Sequence, residues 1–145
     1  MSKTIAEILN LKGNEVWCIT ADTKVFDALG VMSDKNVGAL VVLDGEQVVG
    51  VFSERDYSSK VELRGLCSQT TNVSQVMMAD ATCVTPETSV DEAMEIVTNS
   101  RRRHLPVLDG GKLVGLASIG DLVKASLDEK DVLIKELKTF IKEGK

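Results

Sequence analysis

Residues 17–61 align with residues 82–126 without a gap, at a constant offset of 65. The identical pairs include Cys18/Cys83, Thr20/Thr85, Thr23/Thr88, Leu40/Leu105, Asp44/Asp109, Gly45/Gly110, Gly50/Gly115, Ser53/Ser118 and Asp56/Asp121. Several other pairs keep apolar character, such as Ile19/Val84 and Val51/Leu116. A repeat this regular means one structural unit used twice. Two copies packed about a pseudo-twofold axis create two related clefts at their junction. The length, 145 residues, fits one compact domain or two small ones sharing a core.

Each copy reads as β-α-β-β-α. The strands are expected at Val16–Thr20 and Thr82–Thr85, at Val37–Leu43 and Leu105–Leu108, and at Val48–Phe52 and Leu113–Ala117. Thr23 and Thr88 stand just before apolar positions at helical spacing and are expected as caps. Thr88-x-x-Asp91 and Ser89-x-x-Glu92 both fit a capping box. Tight turns fall at Asp44-Gly45-Glu46 and Asp109-Gly110-Gly111. The last helix of each copy opens at Ser53 or Ser118. Upstream, Thr4–Leu9 resembles Asn72–Met77, each a capped turn leading into its repeat. The expected fold is therefore α/β of the α+β kind. Repeat one covers 4–61, a polar linker 62–71, repeat two 72–126, and a C-terminal helix 127–143. That helix carries Leu133, Ile134, Leu137, Phe140 and Ile141 on one face, for packing on its own domain or on a second copy.

Composition excludes several classes. With 43% apolar residues the chain can build a real core. A net charge of −5 disfavours generic nucleic-acid binding. No run of about 18 apolar residues exists to cross a membrane. The start, Met1-Ser2-Lys3-Thr4-Ile5, has no signal or transit pattern, so a cytoplasmic location is expected. Three cysteines without C-x-x-C spacing imply neither a disulfide framework nor zinc. Cys18 and Cys83 are expected at buried strand positions, and Cys67 exposed in the linker.

Two stretches in each copy bear on chemistry. Ser53-Glu54-Arg55-Asp56 and Ser118-Ile119-Gly120-Asp121 fit a capping box. They also fit a helix start facing the inter-repeat cleft, with free N–H groups toward an anion and a carboxylate able to accept from two ribose hydroxyls. The second stretch is the strand entrance: Asn36-Val37-Gly38-Ala39-Leu40-Val41 in copy one, Arg101-Arg102-Arg103-His104-Leu105-Pro106 in copy two. Four of the five arginines of an acidic chain lie in these motifs, and arginine suits bidentate phosphate contact. Pro106 suggests an edge strand, whose free backbone groups can read a planar base. Aromatic residues are few, so a base would lie between aliphatic side chains such as Val37, Leu40 and Val84. Trp17 is either core or pocket wall. Catalysis has little support: no P-loop, G-x-S-x-G or G-x-G-x-x-G is present, and His104 has no nucleophile beside it.

The duplicated unit, the V-G-A-L-V-V and R-H-L-P-V entrances, the D-G-x-x-V-G turns and the two helix starts resemble a tandem pair of cystathionine β-synthase (CBS) domains, a Bateman module. The resemblance spans about residues 4–126. It implies a stand-alone regulatory module, not an enzyme, with no required cofactor or metal. Its clefts would hold AMP, ADP, ATP or NAD(H). Asp56 and Asp121 would hold ribose, with Ser53, Ser118, Thr20 and Thr85 nearby. Backbone at Val37, Gly38, Ala39, His104 and Leu105 would read adenine, and Arg55, Arg103 and His104 would meet phosphate. It further implies a disc-like homodimer and a regulated partner protein of unknown identity. The competing reading is a ligand-free dimerisation or protein-interaction module.

Overall fold

The computed structural model describes residues 3–13 and 15–143. Helix α1 (Ile5–Lys12) leads to strand β1 (Cys18–Thr20), helix α2 (Val25–Lys35) and the hairpin β2 (Ala39–Asp44)–β3 (Gln47–Ser53). One helical turn, α3 (Glu54–Asp56), then widens into a π-helical stretch at Tyr57–Glu62. After a 3-10 turn at Val73–Gln75 come strand β4 (Met78–Ala79), helix α4 (Val90–Ser100), the hairpin β5 (His104–Asp109)–β6 (Lys112–Ser118), and the 25-residue helix α5 (Ile119–Glu143). The chain is thus a mixed α+β protein with one small sheet per repeat. Sheet one runs β1-β2-β3-β4 and sheet two is β5-β6. Both hairpins carry a register shift at the same repeat position, after Val42 and after Val107.

Each repeat buries its own core, but the segment upstream of each repeat packs on the other one. Ile5, Ile8 and Leu9 of α1 join Val90, Ala93, Leu105 and Leu122. Val73 and Val76 join Val25, Leu40 and Phe52. Matched hydrogen bonds dock the two segments. Ile5 N–H donates to Thr88 O and Val73 N–H to Thr23 O, while Ala6 N–H reaches Pro86 O and Ser74 N–H reaches Ala21 O. Gly50 and Gly115 receive the incoming side chains. A Cβ on Gly115 would sit 2.8 Å from Leu9, and one on Gly50 2.7 Å from both Met77 Sδ and Met78 O. Structurally, then, Thr4–Lys12 belongs with repeat two and Asn72–Ala79 with repeat one.

Several expectations change. The strand expected at 82–85 is reduced to a single bridge, Val84 to Val107. Pro106 supplies the reason. Its counterpart Val41 donates an N–H to Trp17 O, 3.0 Å away, and proline has none to give. Strand β5 is also not a free edge at Pro106, whose carbonyl accepts from Val84 N–H. Strand β1 starts at Cys18, not Val16, and only Ile19 points inward, which leaves Cys18 exposed and Cys83 half-buried. Thr23 and Thr88 do not cap α2 and α4. Their hydroxyls accept from Thr20 and Thr85 N–H and fasten the turn before the helix. Ser89 caps α4, accepting from Glu92 N–H. The N–H groups of Val25 and Phe26 at the start of α2 go to Thr71 O and Ser68 O, so the 62–71 segment is docked. Helix α5 runs without a break across residue 126, so the last helix of repeat two and the C-terminal helix are one.

Candidate functional site: two clefts between the repeats

Both Ser-x-x-Asp motifs are built as caps. In copy one, Asp56 N–H donates to Ser53 Oγ at 3.3 Å, and Ser53 N–H and Oγ–H donate to Asp56 Oδ2 at 3.0 and 3.1 Å. In copy two, Asp121 N–H donates to Ser118 Oγ at 3.1 Å and Ser118 N–H to Asp121 Oδ2 at 2.9 Å. The first helical N–H is spent within the same copy: Glu54 N–H reaches Gly38 O and Ile119 N–H reaches Arg103 O. The helix starts are therefore less open to an anion than expected, because two N–H groups of each first turn are already bonded.

The clefts combine the copies crosswise. Cleft I pairs the helix start of copy one (Ser53, Arg55, Asp56) with the strand entrance of copy two (Arg101, Arg102, Arg103, His104), around a cavity of about 150 Å³. Ser59 and Lys60 on the π-helical stretch complete one side. Cleft II pairs Ser118 of copy two with Val37, Gly38 and Ala39 of copy one, around a cavity of about 330 Å³. Lys12, Trp17, Lys35 and Leu116 complete it. This crossing gathers charge. Arg55 and the arginine trio, in different copies by sequence, share cleft I.

Each carboxylate holds a lysine. Lys60 Nζ lies 3.1 Å from Asp56 Oδ1, and Asp56 is buried. Lys12, the last residue of the exchanged helix α1, donates to Asp121 Oδ2 at 2.6 Å and to Leu116 O at 2.8 Å. Burial pushes the Asp121 carboxyl up. The hydrogen bond and charge of Lys12, with the Ser118 N–H, outweigh it and hold Asp121 below the ordinary carboxylate value. His104 lines both clefts. Burial and then the Lys12 charge push its imidazole below the usual value, against the pull of Asp121 and Asp56.

The remaining residues are distributed as follows. Thr20 and Thr85 line neither cleft. Their hydroxyls meet Thr23 and Thr88 at 3.1 and 3.2 Å, and that of Thr20 also donates to Asp22. Leu40 and Val84 are buried, one in each core, so neither side chain can flank a base, and Leu105, fully buried, lines neither cleft. Trp17 is pocket wall in cleft II, with Lys35 Nζ 4.5 Å above its ring. Lys60 was legible as an i,i+4 partner of Asp56. Lys12 carried no sequence signal, because only the exchange of α1 brings it to Asp121. Among the described residues, no group of three or more His, Cys, Asp or Glu could hold a metal ion, and no helix is long and apolar enough to cross a membrane.

These crossed clefts between two like repeats define a tandem CBS module, and the chain belongs to the CBS-domain family: the family model matches residues 5–62 and 73–128. It is 39% identical over 99% of its length to the CBS domain-containing protein CBSX3, mitochondrial, of Arabidopsis thaliana, covering 74% of that protein. A solved CBS-domain protein from Burkholderia ambifaria MC40-6 is 46% identical with a TM-score of 0.81, the match covering 87% of this chain and 95% of that one. The structure of CBSX2 in complex with AMP is 31% identical with a TM-score of 0.68, covering 88% and 98%.

Proposed function

We propose that this protein is a non-catalytic sensor that binds adenine nucleotides in the two inter-repeat clefts and passes occupancy to a partner protein. One observation carries the reading: Asp56 lines cleft I opposite the other repeat's strand entrance, while Asp121 lies just outside the lining of cleft II and is tied to its wall through Lys12. A ligand there touches both repeats and so biases their relative placement. A coupling of about 1–3 kcal/mol is enough for regulation. The AMP complex of the relative CBSX2 supports the ligand class. Asp56 and Asp121 would accept from ribose hydroxyls, Arg55, Arg103 and His104 would meet phosphate, and Val37–Ala39 would border the base in cleft II.

The ligand-free interaction module has its own support, since both carboxylates are already satisfied by serine and lysine. Thermal-shift titration with AMP, ADP, ATP, NAD, NADH and S-adenosylmethionine separates the two. A ligand at a hundredfold its dissociation constant adds about 2.7 kcal/mol of stability. The sensor reading expects a shift with at least one nucleotide that Asp56→Ala or Asp121→Ala removes. No shift with any of them, on a protein that melts cooperatively, selects the interaction module.

A further inference from the structure

His104 stands where the two clefts meet. It opens β5 and pairs with Ser118 at the end of β6. Its counterpart Ala39 pairs with Ser53 in the same way, but its side chain stops at Cβ. Two like repeats could carry two imidazoles at this position, and this chain carries one. Among the described residues, His104 alone lines both clefts. Asp56 of cleft I and Asp121 beside cleft II both act on its ring.

The surroundings decide the charge of that ring. On the cleft I side stand Arg55, Asp56 and Lys60 of copy one, next to Arg101–Arg103 at its own strand entrance. On the cleft II side stand Lys12 of α1, Glu15 and Lys35 of α2, with Asp121 of α5 behind Lys12. Burial and then the Lys12 charge hold the imidazole below its usual value, so near neutral pH the ring of the empty protein is uncharged. A phosphate group in either cleft reverses the balance. It offsets the neighbouring cations and sets negative charge beside the ring, which favours the imidazolium. The proton comes from solvent, and the cation it makes attracts an anion on its other side.

We infer that His104 couples the two clefts through one proton: an anionic ligand in one cleft charges the ring, and the charged ring strengthens anion binding in the other. The inference rests on the nucleotide reading of the clefts and adds a link between them. The link is confined in pH. Its lower edge lies below 6.5, the ordinary histidine value, and its upper edge is where the ring titrates with both clefts filled. Above this window the ring stays neutral and below it the ring is already charged, so in neither case does the first ligand help the second through the ring. Inside it, binding takes up a proton, and affinity rises as pH falls.

The single histidine gives one set of ring signals, so NMR titration of the full chain tests the inference, with ADP as the probe. Saturating ADP should raise the pH at which the ring titrates by about one pH unit. Calorimetry at about pH 6 should show the second ADP bound about fivefold more tightly than independent sites allow. That gain should vanish at about pH 8.5 and in His104→Gln. Proton uptake, read in two buffers of different ionisation heat, should fall in His104→Gln to what the phosphate itself takes up. Cooperativity that His104→Gln or the higher pH leaves intact overturns the inference, as does a chain that takes only one ADP. ADP binding that leaves the ring's titration unmoved overturns it while sparing the nucleotide reading. No binding of any adenine nucleotide overturns both.

Discussion

Arg101 ends α4 in the left-handed region, at φ 58°, where its counterpart Asn36 sits at φ 54°. Asparagine tolerates that conformation and arginine does not favour it. The fold accepts the strain where the chain turns the basic run into cleft I. Arg101→Gly should therefore stabilise the protein by about 1 kcal/mol, read as a raised urea midpoint at unchanged slope. The same variant should bind polyphosphate nucleotides more weakly.

Lys12 and Asp121 make a second prediction at this scale. Asp121 has a folded pKa below its unfolded one, so its contribution is whole above the unfolded value and is lost as pH falls through the folded one. Removing Lys12 leaves burial as the leading influence. In Lys12→Met the Asp121 carboxyl should titrate at higher pH, and carbon-detected NMR of the carboxyl measures it. His104, the chain's single histidine, is also shifted down. Below its unfolded value near 6.5 the unfolded chain binds the proton more readily, so stability falls on acidification there. His104→Gln should remove that slope from the pH dependence of the melting temperature.

At the scale of elements, the repeat made nearly every helix and hairpin legible, because apolar spacing and turn glycines are local signals. The exchange of α1 and the 73–79 segment was not, since a segment's own pattern says that one face is buried and not on what. The loss of the strand at 82–85 was legible in principle: Pro106 stands where Val41 donates the bond that extends β1. Pro106→Val should add an amide protected from hydrogen exchange at position 106. The net gain in stability should be at most about 1 kcal/mol, one hydrogen bond less the entropy that proline removes from the unfolded chain. The exchange makes its own prediction. Gly115→Ala forces a Cβ against the Leu9 side chain, while Gly50→Ala forces one against Met78 backbone as well as Met77. Overpacking costs about 1–3 kcal/mol, so both variants should melt lower, and Gly50→Ala lower than Gly115→Ala.

For the whole molecule, the decisive step is the crossing of the repeats. Read singly, copy one has Arg55 without a basic run and copy two a basic run without an arginine at Gly120. Crossing turns this into one strongly cationic cleft and one that holds Lys12 and Lys35 beside Glu15. The two clefts should then differ in salt dependence. Screening shortens the reach of exposed charges from about 10 Å at 0.1 M to about 3 Å at 1 M, so polyphosphate affinity in cleft I should fall more steeply with salt than binding in cleft II. Trp17, the chain's single tryptophan, borders cleft II and not cleft I, and so reports one site alone. A nucleotide entering cleft II should change its emission by disturbing the Lys35 contact. Asp121→Asn should weaken that response and Asp56→Asn should leave it. Calorimetry on the same samples counts both sites. The salt slope of the fluorescence-silent component should exceed that of the fluorescent one, and equal slopes would mean that the arginine cluster of cleft I does not meet phosphate.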